Sequence, residues 1–214
     1  MNIVIANKKG GVGKSTLATN LAVEYSNRLG STILIDIDVS NTSLKFMQRR
    51  ADLELDSKNL RVALPKSIDD LDDLLSSNIA EYKIVDVGGY SDHLAIAAIL
   101  GSDLLIVPIS DSPQDKDTTL DFIDTIKTAQ KDGFLKDCIF VLNNVNPLAK
   151  FETLAKEVDY VRENGFDLCG PIGTYKIFSL AHGGGQSVCE INHLSKASSA
   201  IAKLISVIAE RTNG

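Results

Sequence analysis

The chain has 214 residues, 44% hydrophobic and 23% charged, and its 22 Lys and Arg against 28 Asp and Glu leave a net charge of −6. This composition is ordinary for a soluble globular protein and fits a single α/β domain over residues 1–214, and it excludes a uniformly basic nucleic-acid binder. No apolar run approaches the ~18 residues of a membrane span, and a strand begins so near Met1 that neither a targeting peptide nor an N-terminal helix-turn-helix domain is expected.

In chain order, NIVIA at Asn2–Ala6 is a short β-branched run directly before a glycine cluster, which predicts a buried parallel strand. Ser15–Leu29 carries Leu17, Leu21, Ala22, Tyr25 and Leu29 at helical spacing and stops at Gly30. STILIDID is a second buried strand that ends in Asp36 and Asp38, and YKIVDVGG repeats the design with Asp86 followed by Gly88 and Gly89. DLLIVPIS and CIFVLNNV add two more buried strands, and helices are predicted near Ser67–Ser77, Ser91–Leu100, Asp115–Lys131 and Lys150–Asn164. Strands alternating with helices give the α/β class, a mostly parallel twisted sheet with helices on both faces.

The last third is less regular. GTYKIFSLAHGGGQSVCE predicts a helical turn and then a loop at Gly183–Gly185. Ser195–Arg211 predicts a terminal helix with Ile201, Leu204, Ile205 and Ile208 on one face, expected to pack against the sheet. Lys196 and Lys203 are too few for a membrane-binding polar face. Cys138, Cys169 and Cys189 lack C-x-x-C spacing, read as buried small hydrophobes and point to a reducing cytoplasm. The three histidines form no metal-ligand spacing.

The strongest chemical signal is KKGGVGKST at Lys8–Thr16, set between the first strand and the first helix. Gly10, Gly11, Val12 and Gly13 supply backbone N–H groups, which together with the helix N-terminus make an anion cradle. Lys14 brings a point charge to the β- and γ-phosphates of a nucleotide, and Ser15 brings a hydroxyl for Mg²⁺. Such a site also needs a strand-end carboxylate in the magnesium shell. Asp86 fits that role, and Gly88 or Gly89 could sense the γ-phosphate through a backbone N–H. Asp36 and Asp38 are the competing strand-end acids, for the metal or for orienting the attacking water.

KKGGVGKST resembles the deviant Walker A motif, K-G-G-x-G-K-[ST], of the ParA/MinD family of P-loop ATPases, and resembles most the small plasmid-partition ParA proteins. The resemblance implies that Lys9 is the signature lysine that crosses an ATP-dependent homodimer to the partner's phosphates. It implies that Asp38, in DIDVSNTS, helps position the hydrolytic water, although Val39-Ser40 replaces the family's usual Pro-Gln. IVDVGG matches the Walker B/switch II segment, and LLIVPISDSPQD resembles the proline-bearing strand near the dimer interface. VLNN makes Asn143 or Asn144 the adenine contact, and GQSVCE resembles a late G-x-x-V segment.

The implied activity is slow, partner-stimulated hydrolysis of ATP with Mg²⁺, in a cytoplasmic, nucleoid-associated protein that helps segregate DNA. The implied partners are a second copy, nonspecific DNA and a centromere-binding ParB-like adaptor, with no membrane. Thr174–Gly214 is the stretch with a positive balance, and its Lys176, Lys196, Lys203 and Arg211 are the candidate DNA contacts. A nucleoid-based positioning ATPase for a protein cargo is the second reading. A MinD-like membrane ATPase is disfavoured by the polar ending VIAERTNG, and an iron–sulfur relative by the lack of cysteine in DVGGYSDH.

Overall fold

The computed structural model describes residues 1–88, 93–112, 116–149 and 151–212. Among them, seven strands form one sheet: β1 (Asn2–Ile5), β2 (Thr32–Asp36), β3 (Leu60–Ala63), β4 (Tyr82–Asp86), β5 (Leu104–Ile109), β6 (Cys138–Leu142) and β7 (Asp167–Cys169). Their order is β3-β2-β4-β1-β5-β6-β7, and every pair is parallel. The connecting helices are α1 (Lys14–Arg28), α2 (Thr42–Asp52), α3 (Ile68–Ser76), α4 (His93–Leu100), α5 (Lys116–Lys131), α6 (Phe151–Glu163), α7 (Lys176–Gly183), α8 (Val188–Ile191) and α9 (Lys196–Thr212).

The strands are buried on both faces, which is why they read as continuous apolar runs rather than alternating ones. Strand alternation deals their side chains into two cores. Val4, Val85, Leu105 and Val107 face one core with Leu71 of α3, Ala95 of α4, Phe122 of α5 and Val158 of α6. Ile3, Ile5, Ile84 and Ile106 face the other with Leu17 and Leu21 of α1, Phe46 of α2, Val188 of α8 and Ile201, Leu204 and Ile208 of α9. The terminal helix therefore packs on the sheet, as its apolar face predicts.

β1 lies between β4 and β5, so the chain builds β2 to β4 on one side of it and then crosses past it to build β5 to β7 on the other. In doubly wound sheets the ligand crevice opens outside the carboxyl ends of the strands at such a reversal. The glycine cluster follows the carboxyl end of β1, which places it at that crevice.

Four elements were not anticipated. β3 and β7 are edge strands of four and three residues with little continuous apolar character. α2 is strongly charged, and buries only Ser43, Phe46, Met47 and Arg50, the last a charged residue that apolar periodicity ignores. α8 is a single turn made by a capping box at Ser187 and Glu190. Cys138 is buried, whereas Cys169 and Cys189 are half-buried, so only the first behaves fully as the small core residue expected. Ser91, Asp115, Lys150 and Gly89 lie outside the described residues.

Candidate active site

The glycine cluster is held from several sides. Asn7, buried after β1, donates from Nδ2 to the Pro108 carbonyl at 2.7 Å and accepts from the Lys9 N–H at 2.9 Å. Lys14 opens α1 with its side chain 8% exposed, and its Nζ donates to the Lys9 carbonyl at 2.8 Å. Burial lowers the pKa of this ammonium, while the charges of Asp86 and Asp38 oppose that shift. Gly13 has φ +89, and a Cβ there would lie 2.3 Å from Asn143 Nδ2, so no other residue fits.

The two asparagines after β6 have different jobs. Asn143 is buried and donates to the Val12 carbonyl at 2.8 Å; Asn144 is exposed and donates to the Gly11 carbonyl at 2.9 Å. Only Asn144 also lines a cavity of ≈ 450 Å³, which Thr16 of α1 and Thr174, Tyr175, Phe178 and His182 around α7 complete. Lys8 is turned away from this cavity: its Nζ stands 5.9 Å from the centre of the Phe122 ring of α5, a cation–π distance.

Beside the loop, β2 and β4 pair in a register that sets Asp36 next to Asp86. Asp36 spends both oxygens on backbone: Oδ1 accepts from the Asp38 N–H at 3.0 Å and Oδ2 from the Leu44 N–H at 2.8 Å. It is thus the anchor of the first turn of α2. Asp86 is fully buried; Oδ2 accepts from the Ser43 hydroxyl at 2.7 Å, and Oδ1 has no hydrogen-bond partner. Burial pushes its pKa up to about 7, with the Ser43 hydroxyl opposing that shift. Asp38 is half-buried and accepts from the Ser40 N–H at 2.9 Å. Gly88 is buried against it, close enough that a Cβ would lie 2.8 Å from Asp38 Cγ.

Chemically, this is a cationic amine and a backbone cradle for an anion, faced by one buried carboxylate with an unused oxygen and one accessible carboxylate. No cluster of three or more His, Cys, Asp or Glu side chains among the described residues is arranged to hold a metal ion. A divalent cation here would therefore need oxygens from the ligand as well, the coordination habit of Mg²⁺ at phosphates.

The expected DNA contacts are scattered by comparison. Lys176 is exposed at the start of α7. Lys196 and Lys203 are exposed on α9, seven residues and so about 10 Å apart on one helix side. Arg211 does not join them. Its guanidinium pairs with both oxygens of Asp137, at 2.7 and 2.8 Å, and also with Asp167, which ties α9 to the far edge of the sheet.

A family model described as the CobQ/CobB/MinD/ParA nucleotide binding domain matches residues 3–188. The chain belongs to this family. The match covers β1 through the first residue of α8 and so includes every element of the site above. "Maintenance of carboxysome distribution protein A" of Halothiobacillus neapolitanus is 28% identical over 147 residues, 68% of this chain and 67% of that protein. The structure of apo McdA from Cyanothece superposes with a TM-score of 0.74 at 16% identity, covering 95% of this chain and 98% of that one. MinD from Pyrococcus horikoshii OT3, complexed with Mg-ADP, gives 0.72 at 17% identity over 96% and 94% of the two chains. These two structures share the fold. As a member of the CobQ/CobB/MinD/ParA family, the chain is a nucleotide-binding domain with a ParA/MinD-type ATPase architecture.

Within that family architecture, two site residues escaped the sequence reading. Asn7 and Ser43 carry no motif of their own, and each matters through a long-range partner, Pro108 and Asp86. A polar residue at the end of an apolar strand run was the available signal for Asn7, because buried amides need partners. No helix among the described residues is long and apolar enough to cross a membrane.

Proposed function

We propose that this chain is a Mg²⁺-dependent ATPase that dimerises on ATP and positions a macromolecular cargo over nonspecific DNA, with an adaptor protein stimulating hydrolysis. The observation that carries the reading is the contact of Gly88 with Asp38 beside Lys14 and Asp86. Two strand-end loops touch each other where a γ-phosphate held by the glycine cradle would lie, so loss of that phosphate changes both.

The roles divide as follows. The backbone of Gly10–Ser15 and the Lys14 ammonium hold the β- and γ-phosphates. Thr16 and Asn144 reach the base in the cavity walled by Tyr175 and Phe178. Ser15 and Asp86 would hold Mg²⁺, whose chemistry is to neutralise charge on the β- and γ-oxygens. The unpartnered Asp86 Oδ1 fits that duty. Asp36 fixes the DIDVSNTS segment from behind, which leaves Asp38 to orient water. Lys9 reaches a second copy.

The cargo is read from the relative. A protein named for carboxysome distribution shares 28% identity with this chain over 147 residues, which favours a protein cargo over the plasmid segregation expected from the resemblance to partition ParA. DNA attraction would come from Lys196 and Lys203, doubled by dimerisation, and would weaken with salt.

The test is ATP turnover with and without nonspecific DNA, in the wild type and in Lys14→Ala. Mg²⁺-dependent turnover that DNA raises, and that Lys14→Ala abolishes, is expected. Normal turnover in Lys14→Ala would remove the site assignment, and DNA-indifferent turnover with no nucleotide-dependent DNA binding would remove the DNA-borne mechanism.

A further inference from the structure

The GQSVCE segment matches a family pattern, yet none of its residues touches the nucleotide cradle. Its position is more informative. Arg50 of α2 is 1% exposed and all five of its N–H donors are used. Nε donates to Ser57 Oγ at 3.0 Å; Nη1 donates to the Gly185 carbonyl at 3.0 Å and Glu190 Oε2 at 2.9 Å; Nη2 donates to the Asp56 carbonyl at 2.6 Å and Glu190 Oε1 at 2.8 Å. Backbone meets backbone here as well, since a Cβ at Gly185 would lie 2.3 Å from the Arg50 nitrogen.

The same short turn also grips α1. The Ser187 hydroxyl donates to Glu24 Oε1 at 2.5 Å, and the Val188 N–H donates to Asn20 Oδ1 at 2.9 Å. Glu190 closes the turn by accepting from the Ser187 N–H at 2.9 Å. One six-residue segment thus bonds to the helix that begins at Lys14 and to the helix whose first turn hangs on Asp36 and Asp86.

We propose that Arg50 and the Gly185–Glu190 turn form a clamp that sets α2 against α1, the helix that opens with Lys14, making Arg50 and Glu190 positioning residues for ATP hydrolysis. The clamp rests on the ATPase reading above. A buried Arg–Glu pair adds little stability over apolar residues of the same volume, so stability alone is a weak reason for it. Directional bonds do what apolar packing cannot: they fix the rotation and axial position of α2. Ser43 and Leu44 sit on the first turn of that helix, so its register sets where Asp86 and Asp36 meet the nucleotide.

The experiment compares steady-state kinetics and thermal melting of the wild type, Glu190→Gln and Arg50→Lys. Glu190→Gln keeps the side-chain length and Arg50→Lys keeps the charge, and each loses the two-pronged charged contact. At temperatures where they are folded, kcat is expected to fall about tenfold while the KM for ATP moves less than about twofold, the signature of lost transition-state geometry. Unchanged kcat in folded Glu190→Gln overturns the clamp, and so does a rise in KM equal to the fall in kcat. Hydrogen exchange on the wild type decides the case if neither variant folds. Nucleotide should slow exchange in Thr42–Asp52 and in residues 183–191 together, and slowing confined to Thr42–Asp52 overturns the clamp. A wild type without ATP turnover would instead fail the ATPase reading itself.

Discussion

Gly88 and Asp38 approach until there is no room for a side chain between them: a Cβ at 88 would lie 2.8 Å from Asp38 Cγ and 3.0 Å from Asp38 Cα. One of those atoms is backbone, so rotating the Asp38 side chain cannot relieve the contact. Gly88→Ala should therefore push the two strand-end loops apart and leave the glycine cradle intact. Turnover should drop about tenfold or more with nucleotide affinity nearly kept, because the lost geometry belongs to the reacting end. Wild-type kcat in the alanine variant would show that the loops have slack.

Lys9 offers a cleaner separation. Its main chain already works within its own subunit, the N–H on Asn7 and the carbonyl on Lys14. Those bonds survive truncation of the side chain. Lys9→Ala should bind nucleotide like the wild type yet sediment as a monomer with ATP. ATP-dependent dimers of normal affinity would mean that the lysine does not cross between copies.

Asp38→Ala should stop hydrolysis without stopping assembly. The residue is half-buried and its carboxylate accepts from the Ser40 N–H, in contrast to Asp36, whose two carboxylate oxygens organise the segment. The expected product is a long-lived ATP-bound dimer, detected by size-exclusion chromatography after incubation with Mg-ATP. Retained turnover would transfer the water-orienting role to Asp36.

Asp86 makes the metal-free protein sensitive to alkali. Its folded pKa is raised from 3.8 to about 7, so the folded state binds a proton that the unfolded state has lost. The stability this confers is complete below about pH 3.8 and disappears as pH rises to about 7. In a chelator at pH 8, Asp86→Asn should melt at least roughly 2–4 °C higher than the wild type, the shift that 1 kcal/mol produces in a domain of this size. The gap should close at pH 4. A variant that melts lower than the wild type at pH 8 would place a stabilising carboxylate there instead.

What the sequence made legible divides along physical lines. The five central strands, the cradle and the three strand-end acids all announce themselves locally, because burial on both sheet faces forces apolar runs and a phosphate loop forces glycines. Asp36 was legible as a strand-end acid but not as a backbone anchor, since its partners, Asp38 and Leu44, depend on how the chain turns into α2. That Asn143 is buried and Asn144 exposed likewise depends on which one the chain turns inward after β6. Arg211 counted toward a basic patch in one dimension and is neutralised in three by Asp137 and Asp167, 74 and 44 residues away. Arg50 and Glu190, 140 residues apart, were invisible as a pair for the same reason.

The placement of β1 has a consequence for the growing chain. Its neighbours are β4 and β5, and the cradle that follows it is tied down by Asn143 and Asn144. Translation at ~5–20 residues per second separates Lys8 from Asn144 by roughly 7–30 s. Throughout that interval the cradle has been synthesised but lacks the walls that shape it. Nucleotide capture by the complete cradle is thereby deferred until most of the sheet has left the ribosome.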